Sequence, residues 1–125
     1  MSFDYIQVDD ILAIHADQID RYGGSTGVRD PGLLEAALFR PQTGYYLTLI
    51  DEAAALWESL SQNHPFIDGN KRTAFAGTYV FLLINGLEII ATDKDAQTFV
   101  LGLYDSAGLN FENLRTWLSE NTKPI

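Results

Sequence analysis

Asn63–Ala76 reads NHPFIDGNKRTAFA, a polar segment that passes directly into an apolar one. Pro65 and Gly69 interrupt regular structure in its first half, and helical spacing of the apolar residues starts at about Asn70. The stretch is therefore predicted to be a loop that leads into the N-terminus of a helix. Because a helix N-terminus presents unpaired N–H groups and a partial positive charge, this junction favours the binding of an anion.

The side chains at this junction suit a phosphate group. Gly69 allows a ligand to approach the backbone closely, and Lys71 and Arg72 add two positive charges beside it. Asn70 offers its side-chain NH2 to a phosphate oxygen, and its backbone N–H adds to the anion-binding turn. Positive residues are unfavourable at a helix N-terminus that holds no anion, so their presence here is itself an argument for a bound anion.

Two further residues of the loop are candidates for catalysis. His64 is the candidate general base, because a neutral imidazole can accept a proton from a hydroxyl group. Asp68 is the candidate ligand of a Mg²⁺ ion that bridges phosphate oxygens, and its alternative role is to cap the helix that starts at Asn70. Phe66 is predicted to anchor the loop in the core and to carry no chemistry.

Length and composition limit the class of protein. The chain has 125 residues, of which 46% are hydrophobic, so we predict one domain over residues 1–125 with a single core. It contains no cysteine, which excludes disulfides and thiolate chemistry and fits a reducing cytoplasm. No secretory signal is recognisable at the N-terminus, and the longest apolar run, Val80–Ile84, is too short to cross a bilayer. The net charge of −9 argues against direct binding of nucleic acid.

Helical periodicity predicts an all-α fold, a compact bundle of about six helices. The predicted helices run, in chain order, from Asp9 or Asp10 to Tyr22, from Asp30-Pro31 to Arg40-Pro41, from Thr48 to Gln62, from Asn70 to Asn85, from Thr92 or Asp93 to Ser106, and from Asn110 to the start of a polar tail. The fourth is apolar nearly all round, so it is predicted to be the buried central helix. The segment Leu87–Ile90 is expected to be extended but too brief to imply a sheet.

Four residues outside the loop are interpreted as structural. His15 lies on the apolar stripe of the first helix and is expected to be a packed histidine whose ring nitrogens are satisfied. Arg29 is expected to pair with a carboxylate, with contact to the phosphate site as the less favoured alternative. Trp57 and Trp117 are expected to pack in the core.

The segment His64–Arg72 resembles, without a gap, the signature of the Fic/Doc family: His-Pro-Phe, any residue, Asp or Glu, Gly-Asn, Gly or Lys, and Arg. Nine positions with this order of residue types are hard to reach by chance. The similarity extends to the death-on-curing (Doc) branch of the family and covers most of the chain from about residue 9 to residue 90. The further residues that carry it are Gly23-Gly24, Gly27–Leu38, Arg40-Pro41 and Asn85-Gly86.

The resemblance implies a Doc-like toxin of a type II toxin–antitoxin system. Such a toxin transfers the γ-phosphoryl group of ATP to a Thr hydroxyl of translation elongation factor Tu and thereby arrests protein synthesis. The implied cofactors are ATP and Mg²⁺, and the implied partners are that protein substrate and an antitoxin whose C-terminal tail lies in a groove over the site. The implied catalytic residues are His64, Asp68 and Arg72, with Asp68 on the metal and with Gly69, Asn70, Lys71 and Arg72 on the phosphates.

Departures from the wider family pattern leave two alternatives open. Lys71 and Phe75 stand where AMP-transferring members usually have Gly and a second Arg, which favours γ-phosphoryl transfer. Pro65 and Gly69, which Doc itself lacks, keep AMP transfer to a protein hydroxyl as the first alternative, and a catalytically inactive interaction module is the second. Thr116–Asn121 matches a self-inhibitory motif in its letters, but the Arg that this motif engages is replaced here, so we interpret the match as accidental.

Overall fold

The computed structural model describes residues 3–125, and in this range the chain forms six α-helices and two short strands. These elements are α1 (Val8–Tyr22), α2 (Pro31–Phe39), α3 (Leu49–Gln62), α4 (Asn70–Ile84), β1 (Leu87–Ile89), α5 (Asp93–Asp105), α6 (Phe111–Glu120) and β2 (Thr122–Pro124), with a 3-10 turn at Arg40–Gln42. The predicted all-α class with about six helices is confirmed. No helix within the described range is long and apolar enough to cross a membrane.

Most helices begin where their capping residues predict. The side chains of four residues each accept a hydrogen bond from the N–H three positions further on, namely Asp30, Thr48, Thr92 and Asn110. Two helices differ: α4 has Gly69 as its N-cap and no side-chain cap, and the first helix begins at Val8 with Gln7 as its N-cap. The carboxylate of Asp10 accepts from the Gln7 N–H at 2.9 Å, as the third helical residue does in a capping box. The prediction that Asp9 or Asp10 is the cap was therefore wrong.

The centre of the bundle is the pair α3 and α4. Three consecutive alanines of α3, Ala53–Ala55, are fully buried and let the neighbouring helices approach closely. α4 is enclosed along most of its length, but Tyr79 and Ile84 remain partly exposed. The predicted central helix is thus one of two that share the middle of the fold, and its N-terminus reaches the surface.

An aromatic cluster fixes the C-terminal helices against this centre. Trp57 is fully buried, and its ring lies 5.3 Å from Phe75, 6.3 Å from Phe99 and 5.8 Å from Trp117, measured between centroids. Phe99 and Trp117 stack on each other at 4.9 Å. The contacts between these rings are edge-on or stacked, which are the favourable arrangements for aromatic pairs. Both tryptophans are therefore part of the packing, as expected.

The two strands pair as a short antiparallel ribbon, with Leu87 opposite Pro124 and Ile89 opposite Thr122. The extended segment after α4 was predicted, whereas its pairing was not, because the partner strand lies at the far end of the chain. The ribbon ties the C-terminal residues to the end of α4.

Glu52 is a buried carboxyl group in the first turn of α3. It is only 6% exposed, and its Oε1 atom has no hydrogen-bond partner among residues 3–125. Burial raises the pKa of Glu52, and the hydroxyl group of Tyr5 offsets part of this effect. A group whose pKa is raised by folding contributes to the stability of the fold. This contribution is fully present below the pKa of the group in the unfolded chain, near 4.3 for Glu, and it is lost as the pH rises through the pKa in the folded protein. The neutral side chain therefore contributes stability that is lost as the pH rises, so deprotonation of Glu52 weakens the fold.

We expect the substitution Glu52→Gln to raise Tm at pH 7 by roughly 2–5 °C, because the amide keeps the size of the side chain and removes its charge. The gain should disappear near pH 4, where Glu52 is neutral. Thermal unfolding followed by circular dichroism measures the Tm difference at both pH values. Glu35→Gln, the same change at an exposed position of α2, is the control and should leave Tm unchanged. A gain that persists at pH 4 would contradict this account.

Candidate functional site

The loop between α3 and α4 is held in place by the segment that precedes α2. The N–H of Arg29 donates to the carbonyl oxygen of Pro65 at 2.7 Å, and the N–H of Ile67 donates to that of Gly27 at 3.1 Å. Val28 and Phe66 form an isolated antiparallel bridge between these contacts. The loop is therefore backed by a second piece of chain, which limits its conformational freedom.

Arg29 makes a contact that the sequence interpretation missed. Its guanidinium group donates to the carbonyl oxygens of His64 at 2.6 Å and of Asn63 at 2.8 Å, so the predicted pairing with a carboxylate was wrong. The side chain of His64 is exposed, and its backbone has a φ of 47°, a left-handed value that costs a non-glycine residue about 1–2 kcal/mol. The two hydrogen bonds from Arg29 therefore hold the backbone at His64, where the left-handed conformation occurs.

Asn70 closes the loop from the other side. Its side-chain oxygen accepts from the N–H of Phe66 and its NH2 group donates to the carbonyl oxygen of Phe66, both at 2.9 Å. We had assigned the side-chain NH2 group of Asn70 to a phosphate oxygen. One of the two N–H bonds of this group is therefore used within the loop. The backbone N–H groups of Asn70, Lys71 and Arg72 have no hydrogen-bond partner in residues 3–125, so the start of α4 presents three donors.

Asp68 does not cap α4. The N-cap is Gly69, whose φ of 75° and ψ of 17° are left-handed, so the alternative role of Asp68 as the cap was wrong. Oδ1 of Asp68 accepts from the N–H of Gly69 at 2.8 Å, and Oδ2 accepts from the N–H of Ser25 at 3.1 Å. These N–H groups of Ser25 and Gly69 lower the pKa of Asp68, and the positive charge of Arg72 adds to the effect. The carboxylate is thus ionised at neutral pH.

The glycine pair after α1 makes room for this carboxylate. A Cβ atom on Gly24 would lie 2.6 Å from Oδ2 of Asp68, and Gly24 has a φ of 117°. No residue with a side chain fits this position unless Asp68 moves. In the sequence, Gly23-Gly24 is one of the segments that carry the family resemblance, and the structure shows that Gly24 leaves space for the Asp68 carboxylate.

The two cations at the start of α4 are held by different neighbours. The guanidinium group of Arg72 donates to the carbonyl oxygens of Gly23 at 2.9 Å and of Tyr22 at 3.4 Å, at the negative end of α1. The ammonium group of Lys71 lies 4.2 Å from the centroid of the Tyr104 ring, which belongs to α5. The charges therefore flank the helix N-terminus on two sides.

All the surface residues of the predicted site line one cleft of about 430 Å³. Its lining residues are His64, Ile67, Asp68, Gly69, Asn70, Lys71 and Arg72. Phe66 is only 1% exposed and packs under the loop. Glu120, the glutamate of the apparent self-inhibitory motif, is exposed on α6 and is not among the lining residues.

The donor set suits Mg²⁺ held jointly by one carboxylate and a phosphorylated ligand. Among residues 3–125 no three or more His, Asp or Glu side chains are grouped so that they could hold a metal ion. Each carboxylate oxygen of Asp68 accepts one hydrogen bond and keeps a lone pair for a metal ion. Mg²⁺ commonly takes one or two carboxylates and completes its octahedron with phosphate oxygens and water.

Comparison with known proteins identifies the family. A model of the Fic/DOC family matches residues 5–82. The chain is 48% identical over 93 residues to the protein named Toxin Doc from Mycolicibacterium smegmatis, an alignment that covers 70% of this chain and 69% of that protein. It is 34% identical over 100 residues to the protein named Protein kinase doc from Escherichia phage P1, covering 77% of this chain and 79% of that protein. The chain therefore belongs to the Fic/DOC family and, within it, to the Doc branch.

Proposed function

We propose that the protein is a Doc-like toxin that transfers the γ-phosphoryl group of ATP to a hydroxyl group of a target protein. The observation that carries this proposal is the composition of one cleft, where an exposed imidazole, an ionised carboxylate, two cations and the free N–H groups of α4 lie together. The names of the two relatives, one a toxin and the other a protein kinase, support the same activity. The proposed acceptor is a Thr hydroxyl of elongation factor Tu, so transfer would stop translation.

Each group of the cleft has a defined task in this reaction. His64 accepts the proton of the acceptor hydroxyl, whose oxygen forms a bond to the γ-phosphorus while the bond to the β,γ-bridging oxygen breaks and ADP leaves. The free N–H groups at the start of α4, together with Lys71 and Arg72, stabilise the negative charge of the phosphates during this exchange. Asp68 would hold Mg²⁺, which when bound neutralises charge on the phosphate oxygens.

Phe75 favours γ-phosphoryl transfer over AMP transfer. Its ring packs 5.3 Å from Trp57 and 6.5 Å from Trp117, so it is part of the aromatic cluster and offers no hydrogen-bond donor to a nucleotide. The AMP-transferring members of the wider family usually have a second arginine at this position. Without that cation, the site has less support for attack at the α-phosphate.

We expect the purified protein to transfer label from γ-³²P-ATP, but not from α-³²P-ATP, to elongation factor Tu. Transfer from the α position alone would replace the proposal by AMP transfer. Absence of any transfer, together with no thermal shift on adding Mg-ATP, would favour the inactive interaction module. Parallel reactions with an unrelated protein test whether elongation factor Tu is a selective target.

The same proposal includes a partner and a location. A toxin of this kind is held inactive by an antitoxin, and we propose that the antitoxin's C-terminal tail lies in the groove over the cleft. Both ATP and elongation factor Tu are found in the cytoplasm, which we propose as the site of action.

A further inference from the structure

We propose that His15 is a positioning residue of this cleft, and that it fixes the peptide unit between Asp68 and Gly69 in the orientation that lets Asp68 hold Mg²⁺. The inference rests on the proposed function for its consequence in catalysis. Its structural part, the fixed peptide unit, stands on contacts within the chain alone.

Two contacts join His15 to the loop. The side chain is only 5% exposed on the inner face of α1, and its Nε2 atom lies 2.8 Å from the carbonyl oxygen of Asp68. Because a carbonyl oxygen only accepts, Nε2 carries the hydrogen and donates it. The imidazole also stacks on the ring of Phe66, with the centroids 3.9 Å apart and the planes 5° from parallel.

The bond from His15 fixes one end of a peptide unit whose other end faces the carboxylate. The carbonyl oxygen of Asp68 accepts from His15, and the N–H of Gly69, in the same peptide unit, donates to Oδ1 of Asp68 at 2.8 Å. His15 is the only donor to that carbonyl oxygen among residues 3–125. If the bond were lost, rotation of the unit would break the contact to Oδ1 and change the direction of the carboxylate.

The rotation would also disturb the anion-binding end of α4. The carbonyl group of Asp68 now points toward the buried His15, away from a site that binds negative charge. Turned outward, it would direct a partial negative charge toward the phosphates. Gly69 follows directly, and its left-handed conformation depends on the orientation of the preceding peptide unit.

Two substitutions separate this role from simple packing. His15→Phe keeps an aromatic ring that can stack on Phe66 but removes the donor. His15→Gln keeps a donor at about the position of Nε2 but removes the ring. If His15 only fills space, the Phe variant is the milder of the two. If His15 positions the peptide unit, the Gln variant is the milder.

The first measurement is phosphoryl transfer by the full chain over a range of Mg²⁺ concentrations. We expect His15→Phe to raise the Mg²⁺ concentration for half-maximal rate by about 10-fold or more, and His15→Gln to stay within about threefold of the unchanged protein. The proposal is overturned if His15→Phe keeps the original Mg²⁺ requirement, or if the two variants lose activity in proportion to their loss of Tm.

The second measurement does not depend on activity. In ¹⁵N NMR spectra of the unchanged protein, we expect His15 to be protonated at Nε2 and the Gly69 amide to be protected from hydrogen exchange. The protection should fall in His15→Phe and persist in His15→Gln. A ring protonated only at Nδ1, or an unprotected Gly69 amide, would overturn the proposal even if His15→Phe did not fold. Because these spectra need no substrate, they decide the role of His15 even if the protein transfers no phosphate.

Discussion

The substitution His64→Asn is expected to lower the rate of γ-phosphoryl transfer by about 10²–10⁴-fold, the usual contribution of a positioned general base. Asn cannot accept the proton of the acceptor hydroxyl as imidazole does. It is a better choice than Ala, because Asn tolerates the left-handed backbone that His64 adopts, with a φ of 47°. The loop should therefore keep its shape, and Tm and the affinity for Mg-ATP should stay unchanged. Single-turnover transfer of ³²P from γ-labelled ATP measures the rate.

The control for this variant is Ile67→Ala, which shortens a side chain that lines the same cleft and has no titratable group. We expect it to retain most of the transfer rate. If His64→Asn were as active as the control, the base would have to be another residue, and the assignment of His64 would be wrong.

Much of the site was predictable because its residues are contiguous in sequence. The order His64, Asp68, Gly69 and then two cations places the candidate groups on one loop and one helix N-terminus, and the structure finds them lining one cleft. A local pattern of this kind needs no knowledge of the tertiary fold, because the loop and the first turn of the helix bring neighbouring residues together.

The contacts that hold the loop in place were missed because they come from distant parts of the chain. His15 is packed and hydrogen-bonded, as predicted, but its partner in the loop was not foreseen. Arg29 was interpreted as an ordinary surface arginine, yet it also donates to backbone carbonyl oxygens of the loop. Ser25 contributes only its N–H, a group that every non-proline residue has, so its type gave no signal. Such contacts depend on how α1 and the segment between α1 and α2 pack against the loop and α4, which periodicity alone does not define.

For a residue with two possible local roles, the backbone conformation shows which role it fills. Asp68 was a reasonable cap from its residue type and position, but the left-handed Gly69 takes the N-cap place and directs both carboxylate oxygens elsewhere. Asn70 was assigned to a phosphate, and its side chain is largely used to close the loop. In the proposed function, phosphate binding would therefore depend more on backbone N–H groups and on Lys71 and Arg72 than the residue types indicated.

The substitution Asp68→Asn is expected to lower transfer by about 10²-fold or more, because it removes the one carboxylate in the cleft that could hold Mg²⁺. The amide has one acceptor oxygen, so its NH2 group would face the N–H of either Ser25 or Gly69 and lose one of these two bonds. Mg²⁺ should then no longer stimulate the reaction at the concentrations that stimulate the unchanged protein. Titration of the transfer rate with Mg²⁺ measures the effect.

The charge control is Asp9→Asn, which removes one negative charge from an exposed position in the first turn of α1, at the end opposite to Gly23. The pH dependence gives a second check. Because backbone N–H groups lower the pKa of Asp68, its ionised form stabilises the fold above about pH 4, and this contribution is lost as the pH falls through the folded value. The Tm difference between Asp68→Asn and the unchanged protein should therefore shrink in acid. A variant that keeps its dependence on Mg²⁺ would show that the ion binds elsewhere.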